Sequence, residues 1–352
     1  MQAGIELKEM LYLIARGIQD WKKNWMHVPD SFYKGHSLFI KHCFLSNNRH
    51  PNNLYDFIHL LHRPSAEWGI PALAEVFPND ASFLSEGFGF SIEADDFLEE
   101  YENPQEFDQS VMKEILLYCR EQGLDEEYRK ARSFLSQPEN AVLTYYNLVK
   151  KLNVFENLKV KEHVFSCYEI LANSLGNYRQ CPHCGWTLSL IKGQWKCNKE
   201  YLCEYFQSNA NLKEFSFMES EKVYRLRAGI QRYVLLTGIF EENLYQRLRQ
   251  YDAILYPDID QFDIQVQAGE KAINIDMKDY KSPKTLANVF NNKSNHDLEK
   301  YSYDVYIVIP DYRKQLNSRY VEQFYAHLQQ VKHKYIKLMT ERQLLRKLKE
   351  EE

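Results

Sequence analysis

The sequence of 352 residues has no long apolar run and no basic-then-apolar start. It therefore predicts neither a membrane span nor a secretory signal, and a cytoplasmic protein with no membrane partner. It also lacks a strong charge of either sign: a formal net charge of −5 argues against a protein that coats nucleic acid indiscriminately. Histidines with ligand spacing are missing, and His36, His42, His59, His62 and His163 read as surface or core residues. Residues 1 to about 135 hold no catalytic motif. Cysteines number only 7, and Cys43, Cys119 and Cys167 are scattered in the manner of structural thiols.

What is present describes an ordinary globular chain, 44% hydrophobic and 26% charged, long enough for two domains or more. Its 25 Tyr and 20 Phe suffice for sizeable aromatic cores. Residues 221–352 carry 22 Lys and Arg against 19 Asp and Glu, so the acidic excess belongs to the first 220 residues. The basic side is where a polyanion would have to bind.

The other four cysteines give the strongest local signal. Cys181-Pro182-His183-Cys184-Gly185 is followed by Cys197 and Cys203, that is C-x2-C, twelve residues, C-x5-C. A tight pair with Pro and Gly forms a knuckle whose thiolates bind one edge of a metal, and a second pair closes a tetrahedron. Residues 186–190 and 194–196 would be the short strands of a zinc ribbon. Disulfides are the alternative, but nothing suggests an oxidising compartment. Four thiolates leave Zn²⁺ no open position, so this zinc would be structural. It acts as a folding staple or, with Lys192, Lys196 and Lys199, reaches phosphates; those lysines equally offset the local charge of −2.

A second constellation lies at 256–283, YPDIDQFDIQVQAGEKAINIDMKDYKSP. Phe262, Ile264 and Val266 alternate with Asp263, Gln265 and Gln267; Ile273, Ile275 and Met277 alternate with Asn274, Asp276 and Lys278. A period of two reads as half-buried strands, and Ala268-Gly269-Glu270 joins them as a hairpin. Asp276 and Lys278 then share a face, with Asp263 across the ladder. Carboxylates suit Mg²⁺ or Mn²⁺ with open positions for water and a phosphate oxygen, the Met277 carbonyl is a further ligand, and an ammonium can orient the water or neutralise developing charge. Asp258 and Asp260 are rivals for the first acid, since the literal Pro-Asp pair is Pro257-Asp258. On an exposed face the same pattern is a solvated ion pair of little weight.

Around these features the chain reads as helices and a few strands. Leu7, Met10, Leu11, Ile14 and Ile18 mark an amphipathic helix that Trp21 and Trp25 continue, and 53–61 and 111–122 mark two more. The acid-rich run from Glu93 to Asp108 reads as a solvated face or loop, with a docking site for a basic partner, or a nucleic-acid mimic covering the active site, as second reading. Helices are predicted over 141–152, 162–175 with a stop at Gly176-Asn177, and 219–236. Gly238 breaks the last, and 240–250 forms the next. Past the hairpin come a helix at 283–290, a buried strand at 304–310, an amphipathic helix at 320–331, a short strand near 335–338 and a charged helix to the end.

The Asp, then Asp-x-Lys, on adjacent strands resembles the PD-(D/E)-x-K nuclease superfamily. That resemblance implies a metal-dependent phosphodiesterase and an α/β restriction-endonuclease-like sandwich. The helix before the hairpin often donates a glutamate, here Glu241 or Glu242, with Glu241 favoured; the competing role is a stabilising carboxylate near a helix N-terminus. CPHCG, YRLRAGIQRYVLLTGIFEENL, FDIQV, INIDMKDYKSP and VYIVIPDYR together resemble the restriction-endonuclease-like proteins of pPIWI-RE systems, over about 181–350. Tyr256-Pro257 and Tyr280 stand where that pattern has Trp-Pro and Trp. The resemblance implies defence against phage or plasmids, with a PIWI-type protein and a helicase as partners. The expected layout is α+β: a helical N-terminal domain (1–135), a helical connector (136–178), a zinc ribbon (179–206) and a nuclease-like domain (218–352). The expected function is DNA cleavage, with RNA as the other substrate. A non-catalytic binding module on a degenerate nuclease fold is the competing class.

Overall fold

The helix marked by Leu7, Met10, Leu11, Ile14 and Ile18 runs from Gln2 to Lys23. The structure, a computed structural model, describes residues 2–85, 89–101, 106–171, 179–191, 193–197, 200–207, 213–214, 222–269, 271–301 and 304–351. Trp25 lies beyond that helix and is exposed, because the chain turns after Lys23. Contacts gather the chain into two compact units. One comprises Met1–Pro104, Lys278–Tyr303 and Asp311–Met339; the other comprises Gln105–Met277, Asp304–Pro310 and Thr340–Glu352. Among the described residues no helix is long and apolar enough to cross a membrane.

The first unit is helical. Its core joins the five apolar residues of the first helix to Phe32, Phe39, Phe57, Trp68, Phe77 and Phe83. The rings of Phe39 and Phe57 lie 4.8 Å apart and tilted, the offset that aromatic quadrupoles favour. Asn53 caps the helix Leu54–Leu61 by accepting from the Asp56 amide. The acid-rich stretch is not a loop: its described part forms the helix Ile92–Tyr101 and the start of Glu106–Gln122, and residues 102–105 lie outside the description. Asp96 on it is buried, held by the backbone amides of Lys281 and Ser282.

The second unit is mixed α and β. In chain order its strands are Val142–Thr144 (β1), Tyr168–Ile170 (β2), Arg179–Gln180 (β3), Thr187–Ile191 (β4), Gln194–Lys196 (β5), Lys213–Glu214 (β6), Val223–Leu226 (β7), Ile254–Leu255 (β8), Ile264–Ala268 (β9), Lys271–Met277 (β10) and Val305–Ile309 (β11). The last strand of the chain, Leu338–Thr340 (β12), has only Thr340 in this unit. They form three sheets, in the orders β1-β7-β2, β5-β4-β3-β6 and β12-β11-β10-β9-β8. In the five-stranded sheet β9 and β10 are antiparallel, whereas β10 and β11 run parallel. The hairpin and the buried strand expected from the alternation are both present, and all five residues of β11 are buried.

Three segments expected to be helical contain strands instead, and those strands pair with one another. The helix read over 141–152 starts only at Tyr145, after β1. The one read over 162–175 ends at Ser166, before β2, and residues 172–178, with the expected stop, lie outside the description. The one read over 219–236 contains β7 at its start, and residues 219–221 are likewise undescribed. Each strand is three or four residues long, too short for a period of two to register. Their pairings, such as Leu143 with Tyr224 and Ile170 with Tyr224, join segments far apart in sequence.

Gly238 does not break a helix. Helical turns run on from Ala228 through Gln231–Leu235, which is π-helical, to Leu248. The glycine serves close approach: a Cβ there would stand 1.9 Å from the Ser136 Oγ and 2.4 Å from its Cβ. Gly238→Ala is therefore expected to destabilise this unit by about 1–3 kcal/mol through overpacking. Chemical denaturation would measure the shift, and adding Ser136→Gly should recover most of it.

Candidate metal centre and strand-pair site

Cys181 and Cys184 flank a knuckle closed by two backbone bonds, from Gly185 N to Cys181 O and from Cys181 N to Trp186 O. Gly185 takes the left-handed conformation, φ 71°, and a Cβ would meet the Pro138 carbonyl oxygen at 2.0 Å. Only glycine fits there. Cys197 follows β5, and Cys203 comes from the helix Glu200–Gln207 rather than from a second knuckle. All four cysteines are buried and free of disulfides, and their Sγ atoms lie within 4.8 Å of one another.

The spacing suits zinc. Zn–S bonds of about 2.3 Å in a tetrahedron place the sulfurs about 3.8 Å apart. Here Cys184 and Cys197 are 3.7 Å apart, and Cys203 and Cys184 are 3.9 Å apart. Gln231 Nε2, at the first residue of the π-helical turn, donates to the sulfurs of Cys184 and Cys197 at 3.6 and 3.8 Å, the kind of support that metal-bound thiolates receive. Four buried cysteines can thus hold a metal such as zinc. Trp186 Nε1 donates to Leu226 O, and Arg225 lies over the Trp186 ring while donating to Thr187 Oγ1, so the ribbon is tied to β7. The remaining thiols differ: burial pushes Cys43 and Cys119 up to about 11, the latter aided by the charge of Glu127, which leaves them protonated and inert.

The strand pair lies in the middle of the five-stranded sheet. Ile273, Ile275 and Met277 are buried on one face. On the other, Gln265 Nε2 donates to Asn274 Oδ1 at 2.9 Å across the ladder, and Asp276 is itself only 6% exposed. Asp263 immediately precedes β9. Its amide donates to Ile275 O, and its Oδ2 accepts from the Met277 amide at 2.5 Å. The Asp263 carboxylate is thereby fixed to the residue that stands between Asp276 and Lys278. Lys278 follows the end of β10 and is partly buried.

The rival acids sit on a turn of a different kind. Tyr256, Asp258, Ile259 and Asp260 all have positive φ, from 50 to 63°, a conformation that costs a non-glycine residue about 1–2 kcal/mol. The turn is held from outside. Tyr128 Oη donates to Asp260 Oδ2 at 2.6 Å, the Ile259 amide donates to Asp125 Oδ1, and Arg120 donates to the Ile259 carbonyl. Asp258 is exposed. Burial, together with the charge of Asp260, pushes the Tyr128 phenol well up.

Glu241 is buried and engaged. Arg132 Nη2 donates to its carboxylate at 3.2 and 3.4 Å, and Tyr256 Oη at 2.7 Å. Arg132 Nη1 also donates to Val234 O, within the π-helical turn. Burial and the Glu241 charge raise the Tyr256 phenol well above its usual range. The Tyr256 amide donates to Asp263 O, so hydrogen bonds connect Glu241 to Asp263 through Tyr256.

Other partners had no assigned role in the sequence. Asp279 accepts from Tyr312 Oη at 2.7 and 2.8 Å and from Arg313 Nε at 2.6 Å. These residues come from INIDMKDYKSP and VYIVIPDYR, two motifs whose adjacency in sequence pattern carried no hint that they bond to each other.

The described residues define an α+β protein with a four-cysteine cluster able to hold a metal, and a central strand pair with Asp276 on β10 and Asp263 just before β9. The model of a protein family, pPIWI_RE_REase, described as "REase associating with pPIWI_RE", matches residues 238–352. That description names a restriction-endonuclease-type domain tied to pPIWI-RE systems. No curated protein and no solved structure matches the chain.

Proposed function

We propose that this protein is a metal-dependent nuclease that hydrolyses phosphodiester bonds of DNA in a prokaryotic defence system, in the cytoplasm, alongside a PIWI-type protein and a helicase. RNA is the alternative substrate. The observation that carries the reading is the Asp263 carboxylate on the Met277 amide, which ties the first acid to the Asp276-Met277-Lys278 step. The family match over 238–352 supports it independently, as does the order β8 to β11, compatible with a restriction-endonuclease-like sandwich.

Asp263, Asp276 and the Met277 carbonyl would hold Mg²⁺ or Mn²⁺; carboxylate and carbonyl oxygens are the donors these hard ions take. Bound there, the ion would polarise a phosphodiester and acidify an attacking water. Lys278 would orient that water or neutralise charge on the phosphate. Glu241, bound to Arg132 and Tyr256, would position Tyr256 and through it Asp263. The cysteine centre would hold zinc as a staple.

One observation favours a second reading, a scaffold that binds nucleic acid or a partner without cutting. Among the described residues, the four cysteines are the group of three or more ligating side chains within metal reach, and neither Asp263 nor Asp276 belongs to such a group. Calorimetry with Mg²⁺ and Mn²⁺, with cleavage of plasmid, linear duplex, single-stranded DNA and RNA, separates the two. The nuclease is expected to bind the ion and cut one of these substrates, and both properties should vanish in Asp276→Ala. Cleavage unchanged in Asp276→Ala and Lys278→Ala would refute the site.

A further inference from the structure

The four residues after Lys278 are held individually, by Tyr312, Arg313, Tyr320, Asp96 and Glu93 of the first unit. Asp279 is bound by Tyr312 and Arg313, both buried. The Tyr280 carbonyl accepts from the Oη of Tyr320, a fully buried side chain, at 2.9 Å. The amides of Lys281 and Ser282 donate to the two oxygens of Asp96, at 3.4 and 2.8 Å. Ser282 Oγ donates to Glu93 at 2.8 Å and accepts from the amides of Lys284 and Thr285, capping the helix Pro283–Asn291.

A loop that only had to join a strand to a helix would not need this. Burying Asp96, Arg313 and the polar ends of two tyrosines carries a desolvation cost that their mutual bonds only partly offset, and a turn built on glycine or proline would avoid it. What such an arrangement does achieve is fixed placement. A catalytic group must be held to within about 0.5 Å, and a misplacement of about 1 Å can cost two orders of magnitude in rate. Long lysine side chains have four rotatable bonds, so the backbone beneath them must be still if the ammonium is to return to one place.

We infer that Glu93, Asp96, Asp279, Tyr312, Arg313 and Tyr320 form a clamp that positions Lys278, and that the acidic helix Ile92–Tyr101 exists in part to supply it. The inference rests on the nuclease reading for the purpose of the lysine, but the clamp itself can be measured without cleavage. These are positioning residues, since none is argued to touch substrate. Glu93 and Asp96 belong to the helical N-terminal part of the chain, in which the sequence showed no chemistry, and the other four come from the stretch expected to be nuclease-like.

Two conservative changes loosen the clamp without emptying the core: Tyr312→Phe removes one partner of Asp279, and Tyr320→Phe frees the Tyr280 carbonyl. In the double variant of the full chain, kcat for cleavage is expected to fall about tenfold with KM unchanged, while the thermal midpoint moves far less than Arg313→Ala would move it. In spectra of protein labelled with ¹³C at lysine Cε, the Lys278 signal, assigned by its loss in Lys278→Arg, should move to the position of a mobile surface lysine. An unmoved Lys278 signal would overturn the inference whether or not the protein cuts anything. An altered signal in a protein that cleaves no substrate would uphold the clamp and count against the nuclease reading instead. A rise in KM matching the fall in kcat/KM would also overturn it, because the groups would then be serving substrate binding.

Discussion

Replacing Cys184 by serine is expected to lower the thermal midpoint by more than about 10 °C and to abolish the uptake of one zinc per chain, measured by elemental analysis. Structural zinc contributes on the order of 10–16 kcal/mol in isolated zinc-finger peptides. A loss of about half of that, at roughly 2–4 °C per kcal/mol for a folding unit of this size, reaches the threshold. Cys184 is the most informative of the four because its sulfur lies near those of Cys197 and Cys203 and also receives Gln231. The damage should reach past the ribbon. Gln231 opens the π-helical turn of the helical stretch that runs on through Glu241, and Trp186 is bonded to Leu226 on β7. Chelation of the wild type should have the same effect. A fully folded, zinc-free protein would show the cysteines to be an ordinary apolar cluster.

Arg132→Ala should destabilise the protein by about 3–5 kcal/mol, the usual result of stripping one partner from a buried ion pair. The loss has three parts. Glu241 keeps a carboxylate that is 4% exposed and has lost its cation; Val234 O loses its donor; and the Tyr256 ring loses the guanidinium 5.3 Å from its centre. The carbonyl matters because the π-helical turn departs from regular α-helical pairing, and Arg132 Nη1 serves one of its carbonyls. Arg132→Leu combined with Glu241→Leu should recover at least half the loss, since an apolar pair leaves no charge stranded. Urea unfolding of the three proteins measures this. Equal destabilisation by the single and the double variant would mean that packing, not charge, dominates.

What could be read from the residues was local and periodic. The cysteine spacing is legible because metal ligands must be close, so Cys181 and Cys184 announce themselves; Cys203 joins them, on a helix that the sequence reading does not include. Alternation exposed β9 and β10, which have five and seven residues, but not β1, β2 and β7, which have three or four and take their stability from one another. Gly238 was read as a break because a glycine in a helix usually weakens it; only the nearness of Ser136, from another element, shows why it is there. The acidic run looked solvated because its pattern shows charge and not partners. Asp96 is buried against backbone amides 185 and 186 residues away, and backbone amides leave no trace in a sequence. The same holds for Arg132, whose Glu241 lies 109 residues on.

The left-handed turn at 256–260 bears on what counts as one piece of this protein. The side chains of Arg120, Asp125 and Tyr128, which hold its Ile259 and Asp260, all precede the stretch that the family model matches. A chain beginning at Gly238 would keep both acids of the strand pair and leave behind the groups that make the bend leading into it. The stretch that the family model matches is shorter than the stretch whose side chains shape the bend, and a transplant cut at Gly238 would carry the motif without its frame.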